Sequence, residues 1–408
     1  MTIKNGIIYN VDNQDLNADG SFVIPNGVNY IGGEAFYACA RLTSIVIPDG
    51  ITGIGQNAFS GCTNLTEIVI PDSVTHIGKC AFYDCYKLTS VTLGSGITRI
   101  EISTFANCLK LTSVTIPNNV TAIGNYAFYN CTGLTSIVIP DSVTSIGDHA
   151  FAHCTELTSI IIGNGVNDIG SSAFYDCSSL TSVTIPNGIM VIKGSTFAGC
   201  SKLTSIIIPD SVTKIEDHAF WFCSMLTEII IPGSVTGIGY AAFSNCAGLT
   251  SVTLGSGIIH IASGAFSYCA SLTSVVIPSS VTNIGPEVFY GCSSLVSKRA
   301  NYKAFSLTEK GKLKCLYKIY TVGKKSAVKG ELRLCHNGIH YCTNIFDIFT
   351  YYSGEYGKDF VIGLCEVSEK TIGGEYTRNK DSKRCARWII PTKILSIEEA
   401  TKIMNGDK

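Results

Sequence analysis

Residues 35–57 read AFYACARLTSIVIPDGITGIGQN, and residues 58–80, AFSGCTNLTEIVIPDSVTHIGKC, repeat them nearly position for position. The unit Phe-x-x-Cys-x-x-Leu recurs twelve times at an unvarying period of 23 residues, from Phe36-Cys39-Leu42 and Phe59-Cys62-Leu65 to Phe289-Cys292-Leu295. One such unit is too small to bury its own apolar face, so a fixed period of this length calls for a stack of coils, each covering the next. Within the unit, Phe36, Cys39, Leu42, Ile45, Ile47, Ile51 and Ile54 recur as apolar residues and are expected to point inward. Ile45 and Ile47 alternate with Val46, the period of two that a short strand requires. Pro48 ends that strand, because proline has no N–H to give to a ladder. Nine of the 11 prolines hold this slot, and turn-forming pairs such as Asp-Gly and Asp-Ser follow it. The Ala-Phe pair is expected to open a short helical or 3₁₀ turn on the opposite side.

Parallel stacking at ~4.8 Å per coil would make a rod of roughly 60 Å from the twelve copies and the partial copy at residues 21–31. The fold class expected is a mainly β/α solenoid of the leucine-rich-repeat kind. It has an N-terminal cap at 1–20, repeats at 21–297 and a small α+β domain at 298–408.

The Leu42-Thr-Ser-Ile45-Val-Ile47 stretch has the L-x-x-L-x-L form of a leucine-rich repeat. The longer pattern A-F-x-x-C-x-x-L-T-S-[IV]-x-I-P-x-S-[IV]-T-x-I-G, met almost throughout residues 20–297, resembles the BspA-like repeats of bacterial and protozoan proteins. That resemblance implies a non-enzymatic binding protein of the surface-adhesion kind.

Of 18 cysteines, twelve occupy one repeat position. Equivalent Cβ atoms in a stack lie ~4.8 Å apart with parallel vectors, beyond the ~3.5–4.5 Å that a disulfide prefers. They are read as a buried ladder of reduced thiols, not as a metal or redox centre. The first residues, MTIKNGIIYNVDNQD, lack the apolar core of a secretory signal. No run of ~18 apolar residues suggests a membrane span either. On these grounds the chain is expected in the cytoplasm, as a monomer, without cofactor or metal. Gly6-Ile7-Ile8-Tyr9 can pair with the first repeat and cover its edge. Asp15, Asn17, Asp19 and Gly20 match the first half of a calcium loop, but Asn26 stands where the bidentate glutamate belongs, so a turn is expected.

Charge divides the chain. Residues 1–297 hold 9 Lys+Arg against 19 Asp+Glu, whereas 298–408 hold 21 against 12. Two modules follow from that asymmetry. In the second, strands are expected at 314–320, 359–367 and 384–390. A helix is expected at 344–352 with Asn344 as its cap, and another from the capping box at Ser396. Tyr302-Lys-Ala-Phe305, Gly338-x-His340-Tyr-Cys342 and Lys383-x-Cys385 resemble a small uncharacterised domain of bacteriophage and bacterial proteins, over about 300–404. Its expected role is to cap the last repeat.

Candidate functional residues fall in three groups. Beside the phenylalanines, variation concentrates in pairs such as Tyr37-Ala38, Tyr83-Asp84 and Trp221-Phe222. Trp221 and Phe222 are the largest apolar pair, a candidate anchor for a protein or glycan ligand. On the strand face, Glu67 and Glu228 interrupt an otherwise uncharged serine column. In the second module, Gly338-Ile-His340-Tyr341 and Tyr351-Tyr352 faintly resemble the middle of ADP-ribosyltransferase folds. The resemblance implies NAD chemistry, but the early His or Arg and the late glutamate are lacking. The basic excess of that module raises nucleic-acid binding as a third reading. Tyr317, Tyr320 and Trp388 alternate as core residues do, however, so nucleic acid is not the expected partner. His149 and His218, three repeats apart, are read as solvated turn residues.

Overall fold

In the computed structural model, residues 1–295 are described in full. Beyond them the backbone is described for the strands Tyr302–Leu307, Leu313–Cys315, Lys318–Tyr320, Ser326–Ala327, His340–Cys342, Phe360–Val367, Lys383–Cys385 and Trp388–Leu395. The repeats form a right-through stack of coils in which each 23-residue unit lies on the one before it. Every coil contributes two strands, where alternation in the sequence signals only one. The first column contains Ser44–Val46, Glu67–Val69 and their equivalents up to Ser274–Val276; it falls into four sheets, within each of which the strands pair parallel and in register, as Ser136 to Ser159 and Ile137 to Ile160. The second column consists of dipeptides, Gly53–Ile54, His76–Ile77 and onward to Asn283–Ile284, also parallel. Two residues are too few for a period of two to appear, which is why this column is silent in the sequence.

The chain start joins the second column. Ile7–Tyr9 pairs parallel with Tyr30–Ile31 and antiparallel with Thr2–Lys4, and Ile8 is fully buried. Phe22 closes the ring stack at this end by meeting Phe36 edge-on at 5.0 Å.

The third side of the coil corrects an expectation. Around each phenylalanine there is no helical or 3₁₀ turn but a turn whose amides alternate in direction. Glu34, Phe36 and Ala38 donate to Gln56, Ala58 and Ser60 of the next coil, while Ala35, Tyr37 and Cys39 donate back within their own. The alternation is produced by positive φ two residues before and two after each phenylalanine, at Glu34 and Ala38 and in all eleven later coils. A left-handed residue reverses the amide, so half of the turn's donors reach across the stack. A helical turn would keep all of them inside one coil. Asn, Asp, His and Gly fill many of these slots, the residues that tolerate this conformation best.

Inside, the phenylalanine rings from Phe36 to Phe289 form a continuous parallel stack. Centroids are 4.9–5.8 Å apart, with interplanar angles of at most 17°. The thiols lie beside it, all free and buried. Each points its S–H at a backbone carbonyl of the preceding coil. Cys39 meets Val11 at 2.9 Å, and Cys62 to Cys292 meet the carbonyls of Phe36 to Phe266 at 3.1–3.3 Å. A thiol is apolar enough to bury at little penalty, yet supplies a weak donor to a carbonyl lone pair. Cys154→Ala should therefore lower stability by about 1–2 kcal/mol, through the lost donor and a small cavity. The urea midpoint of the variant against the parent checks this; an unchanged midpoint would contradict it.

The second column breaks at two places, before Arg99–Ile100 and before Val191–Ile192. Most coils carry glycine after that dipeptide. A Cβ on Gly78 would fall 2.4 Å from the Gln56 amide nitrogen, and one on Gly147 2.5 Å from that of Asn125. At both breaks the glycine is replaced, by Glu101 and by Lys193, although Glu216 and Ala262 take the same place where the column continues. In the same two coils a buried Thr104 or Thr196 replaces alanine and donates its hydroxyl to the carbonyl of Glu101 or Lys193, at 2.8 and 2.9 Å.

The strands after residue 301 form a separate antiparallel sheet. Tyr302–Leu307 lies between Leu313–Cys315 and Phe360–Val367, and Trp388–Leu395 follows. Two expected strands are each two strands here: Leu313–Cys315 and Lys318–Tyr320 make a hairpin, and Lys383–Cys385 is distinct from Trp388–Leu395. Alternation reads the same along one long strand or two short ones, so it could not separate them. A bulge between Leu364 and Cys365 falls opposite Pro391, which has no N–H to pair. His340 and Tyr341 belong to the strand His340–Cys342. Tyr351 and the helices expected at 344–352 and from Ser396 lie outside the described residues.

Candidate functional site: the turn edge

Three surfaces run the length of the stack. On the first strand column the outward residues are a serine row and a row of β-branched residues, from Val23 and Val46 to Ile230 and Val276. Val46 is 77% exposed and Ile207 70%. A threonine row flanks them, each hydroxyl donating to the carbonyl one coil back, as Thr158 to Thr135 at 3.0 Å. The face is short-chained and uncharged except at Glu67 and Glu228. Glu67 and Glu228 are exposed on it, seven coils or ~34 Å apart, so they share no site.

The turn edge beside the phenylalanines is chemically different, and the other candidates lie there. Trp221 is half-buried and Phe222, at a positive φ, is 45% exposed; their rings meet edge-on at 4.6 Å. Trp221 also meets His218 at 6.2 Å, and His218 meets Tyr240 at 5.1 Å. Tyr37 is 57% exposed, and Tyr83 is half-buried with its phenol pushed above the ordinary range by the neighbouring Asp84 and by burial. The structure thus places Trp221, Phe222, Tyr37 and Tyr83 on one edge and leaves Glu67 and Glu228 on the strand face.

His149 and His218 are not simply solvated. His149 stacks on Tyr126 at 4.8 Å and 9°, with its Nδ1 buried. The slot lies directly over its equivalent in the next coil, about one ring thickness and a half away, so flat side chains there pack on one another. Farther along, His153 sits between Tyr129 and Tyr175, meeting both edge-on at 5.4 and 5.3 Å, and its Nδ1 lies 3.1 Å from Asp176. Side-chain hydrogen bonds continue along the axis, from Asn107 to Asp84 and from Asn130 to Asn107, both at 2.8 Å.

One regularity on this edge is absent from the reading of single repeats. From Phe36 to Phe243 the residue after the phenylalanine is aromatic in every second coil, at Tyr37, Tyr83, Tyr129, Tyr175 and Trp221; the alternation then lapses, with Ser267 and Tyr290 in the last two coils. Ser60, Ala106, Ala152, Ala198 and Ser244 stand between them, all buried. A large side chain needs the room that a small one leaves in the adjoining coil. The signal was available as a 46-residue period within the 23-residue one.

Burial raises the ladder thiols from Cys39 to Cys246, Cys154 and Cys246 to about 12, so they stay protonated at neutral pH. Among the described residues no group of three His, Cys, Asp or Glu side chains is placed to hold a metal ion. The calcium-like segment is a turn whose acceptors serve its own chain. Asp15 accepts from the terminal ammonium at 2.7 Å and from the Asp12 amide, and Asp19 accepts from the Ser21 amide and hydroxyl. Among the described residues no helix is long and apolar enough to cross a membrane.

Comparison with known proteins agrees with this architecture. The profile described as BspA type leucine rich repeat region (6 copies) matches residues 17–135, 121–249 and 214–310, so the chain belongs to that family. Residues 301–403 match a Domain of unknown function (DUF7666). That match supports neither the ADP-ribosyltransferase-like nor the nucleic-acid reading of the second module. Among solved structures, the chain is similar to a leucine rich cell surface protein from Faecalibacterium prausnitzii A2-165. Identity is 31%, covering 68% of this chain and 90% of that one, with a TM-score of 0.46. It is also similar to a leucine-rich repeat protein from Bacteroides ovatus ATCC 8483, at 31% identity, 67% and 77% coverage and a TM-score of 0.48. A leucine-rich repeat protein from Eubacterium ventriosum ATCC 27560 matches at 26% identity, 68% and 92% coverage and a TM-score of 0.43. No curated protein matches the chain.

Proposed function

We propose that this member of the BspA-type leucine-rich repeat family is a non-catalytic recognition scaffold whose contact surface is the turn edge. The observation that carries the reading is the row of partly exposed aromatic rings from Tyr37 to Tyr240 on a backbone hydrogen-bonded from coil to coil. Such rings lose little side-chain entropy on binding and bring large contact areas, which is why aromatic residues dominate interface energetics. The strand face offers serine, threonine and short β-branched side chains, with no comparable anchor. The ligand is a macromolecule long enough to touch several coils.

Binding of the full chain to arrayed proteins and arrayed glycans tests this. The double variant Trp221→Ala/Phe222→Ala should weaken capture by ~30-fold, the scale of a central aromatic anchor. Val138→Ser/Ile161→Ser on the strand face should change it less than about threefold. The reverse pattern would move the contact surface to the strand face.

A further inference from the structure

We infer that the turn edge is a platform for an extended, uncharged β-1,4-linked polysaccharide lying along the stack axis. This inference rests on the edge being the contact surface and names its ligand class.

The argument is one of commensurate periods. Tyr37, Tyr83, Tyr129, Tyr175 and Trp221 recur every second coil, so the aromatic spacing is ~10 Å. In two of the four intervening coils the next position outward carries a polar side chain, Asn107 between Tyr83 and Tyr129 and His153 between Tyr129 and Tyr175; Gly61 and Gly199 stand there in the other two. From Tyr83 to Tyr175, therefore, ring and polar side chain alternate from one coil to the next. A β-1,4-linked glycan has the same symmetry. It is a flat ribbon whose sugars advance by about one coil each and turn over at every residue, so its chemical repeat is two sugars. One sugar of each pair can lay its C–H face on an aromatic ring, whose π face is negative and attracts that edge of positive charge. The other turns its hydroxyls to the polar side chain. α-Linked glucans coil and lose this register.

The polar groups suit hydroxyl recognition. Asn107 gives its N–H groups to Asp84 and to the Tyr83 phenol and accepts from Asn130, which leaves a second lone pair of its Oδ1 for a ligand hydroxyl. The axial hydrogen bonds hold these amides in one orientation before any ligand arrives. Charge selects further: residues 1–297 carry 19 Asp+Glu against 9 Lys+Arg, with Asp84 and Asp176 on the edge itself. A uronate or phosphate polymer would be repelled, whereas a neutral glycan would not. From Tyr37 to Trp221 the row spans ~38 Å, enough for about eight sugars.

Calorimetric titration of the full chain with cellobiose, cellohexaose, chitobiose, chitohexaose and maltohexaose tests the inference. At least one β-1,4 hexasaccharide should bind ~10-fold or more tightly than its disaccharide, because more rings are engaged at once. Maltohexaose should not bind. Tyr129→Ala/Tyr175→Ala should weaken hexasaccharide binding by ~10-fold or more, while Tyr129→Phe/Tyr175→Phe stays within about threefold, since the ring and not the hydroxyl is the platform. Melting curves of both variants show whether the stack is intact. No binding by either hexasaccharide, no dependence on length, or an unaffected alanine variant would each overturn the glycan assignment. If Trp221→Ala/Phe222→Ala still abolished capture on the arrays, the contact surface would stand with another ligand. If that variant were silent as well, both readings would fall.

Discussion

Phe151→Ala should split the melting of the stack into two transitions and lower the stability of its middle by about 3–5 kcal/mol. Phe151 is fully buried, stacked on Phe128 at 5.2 Å and on Phe174 at 5.5 Å. Removing the ring leaves a cavity bounded by two other rings that their own neighbours hold in place, so the site cannot collapse to fill it. In a stack each coil touches only the next, and stability is a sum of coil terms and interface terms. One substitution here weakens two successive interfaces and uncouples the coils before it from those after it. Phe289→Ala provides the contrast, since Phe289 belongs to the twelfth repeat, 5.8 Å from Phe266, and its loss divides no run of repeats into two. Its effect should be smaller and should leave a single transition. Hydrogen exchange resolved along the chain checks both: Phe151→Ala should release protection around coils 5–7 first. Uniform loss of protection, or a change below about 1 kcal/mol, would show that the ring stack is not what couples the coils.

The second large effect is alkaline unfolding. Burial raises the thiols of Cys39, Cys62, Cys85, Cys108, Cys131, Cys154, Cys177, Cys200, Cys223 and Cys246, and a hydrogen bond with Cys292 together with burial raises that of Cys269; Cys39 rises to about 11 and Cys154 to about 12. In the unfolded chain these thiols ionise near pH ~8.5. A folded-state value above the unfolded one means that the unfolded state loses its protons first. The stabilisation is thus complete below the unfolded value and is lost as pH rises towards the folded one. Each thiol contributes about 1.4 kcal/mol per pH unit in that interval, and the row together ~10–15. That slope is comparable to the entire stability of an ordinary domain, so under reducing conditions the stack should unfold between pH ~9 and ~11. Circular dichroism recorded with thiolate absorbance is the check. The two changes should coincide, and the ladder thiols should stay inert to a disulfide reagent at pH ~8 until the chain is denatured. A fold that persisted at equilibrium above pH ~11 with its thiols ionised would refute the buried ladder.

Much of this was legible in the residues themselves. Phe36, Cys39, Leu42, Ile45 and Ile54 announce the interior because each recurs at a period that must place it on its own equivalent. Pro48 and the turn pair after it mark where the first strand stops. The aromatic pair Trp221-Phe222 stood out by size alone. Other features were not legible. His149 looked like a turn residue because nothing nearby in sequence shows that Tyr126 lies one coil below it. Nothing in the sequence marks the coils of Glu101 and Lys193 as the places where the second column opens, since Glu216 replaces the same glycine without a break. Glu67 and Glu228 interrupt one serine column, and the stack sets them far apart.

The 23-residue period by itself determined that the chain is a stack, how many coils it has and which side chains fill it, since periodic burial is a property that local order can carry. Only the tertiary structure decided the reversed amides of the turn and the thiol-to-carbonyl bonds. The physical reason is that each depends on a partner one coil away, 22 residues off for the Phe36 amide and 26 for the Cys62 thiol, a separation across which no neighbouring residue reports what will be touched.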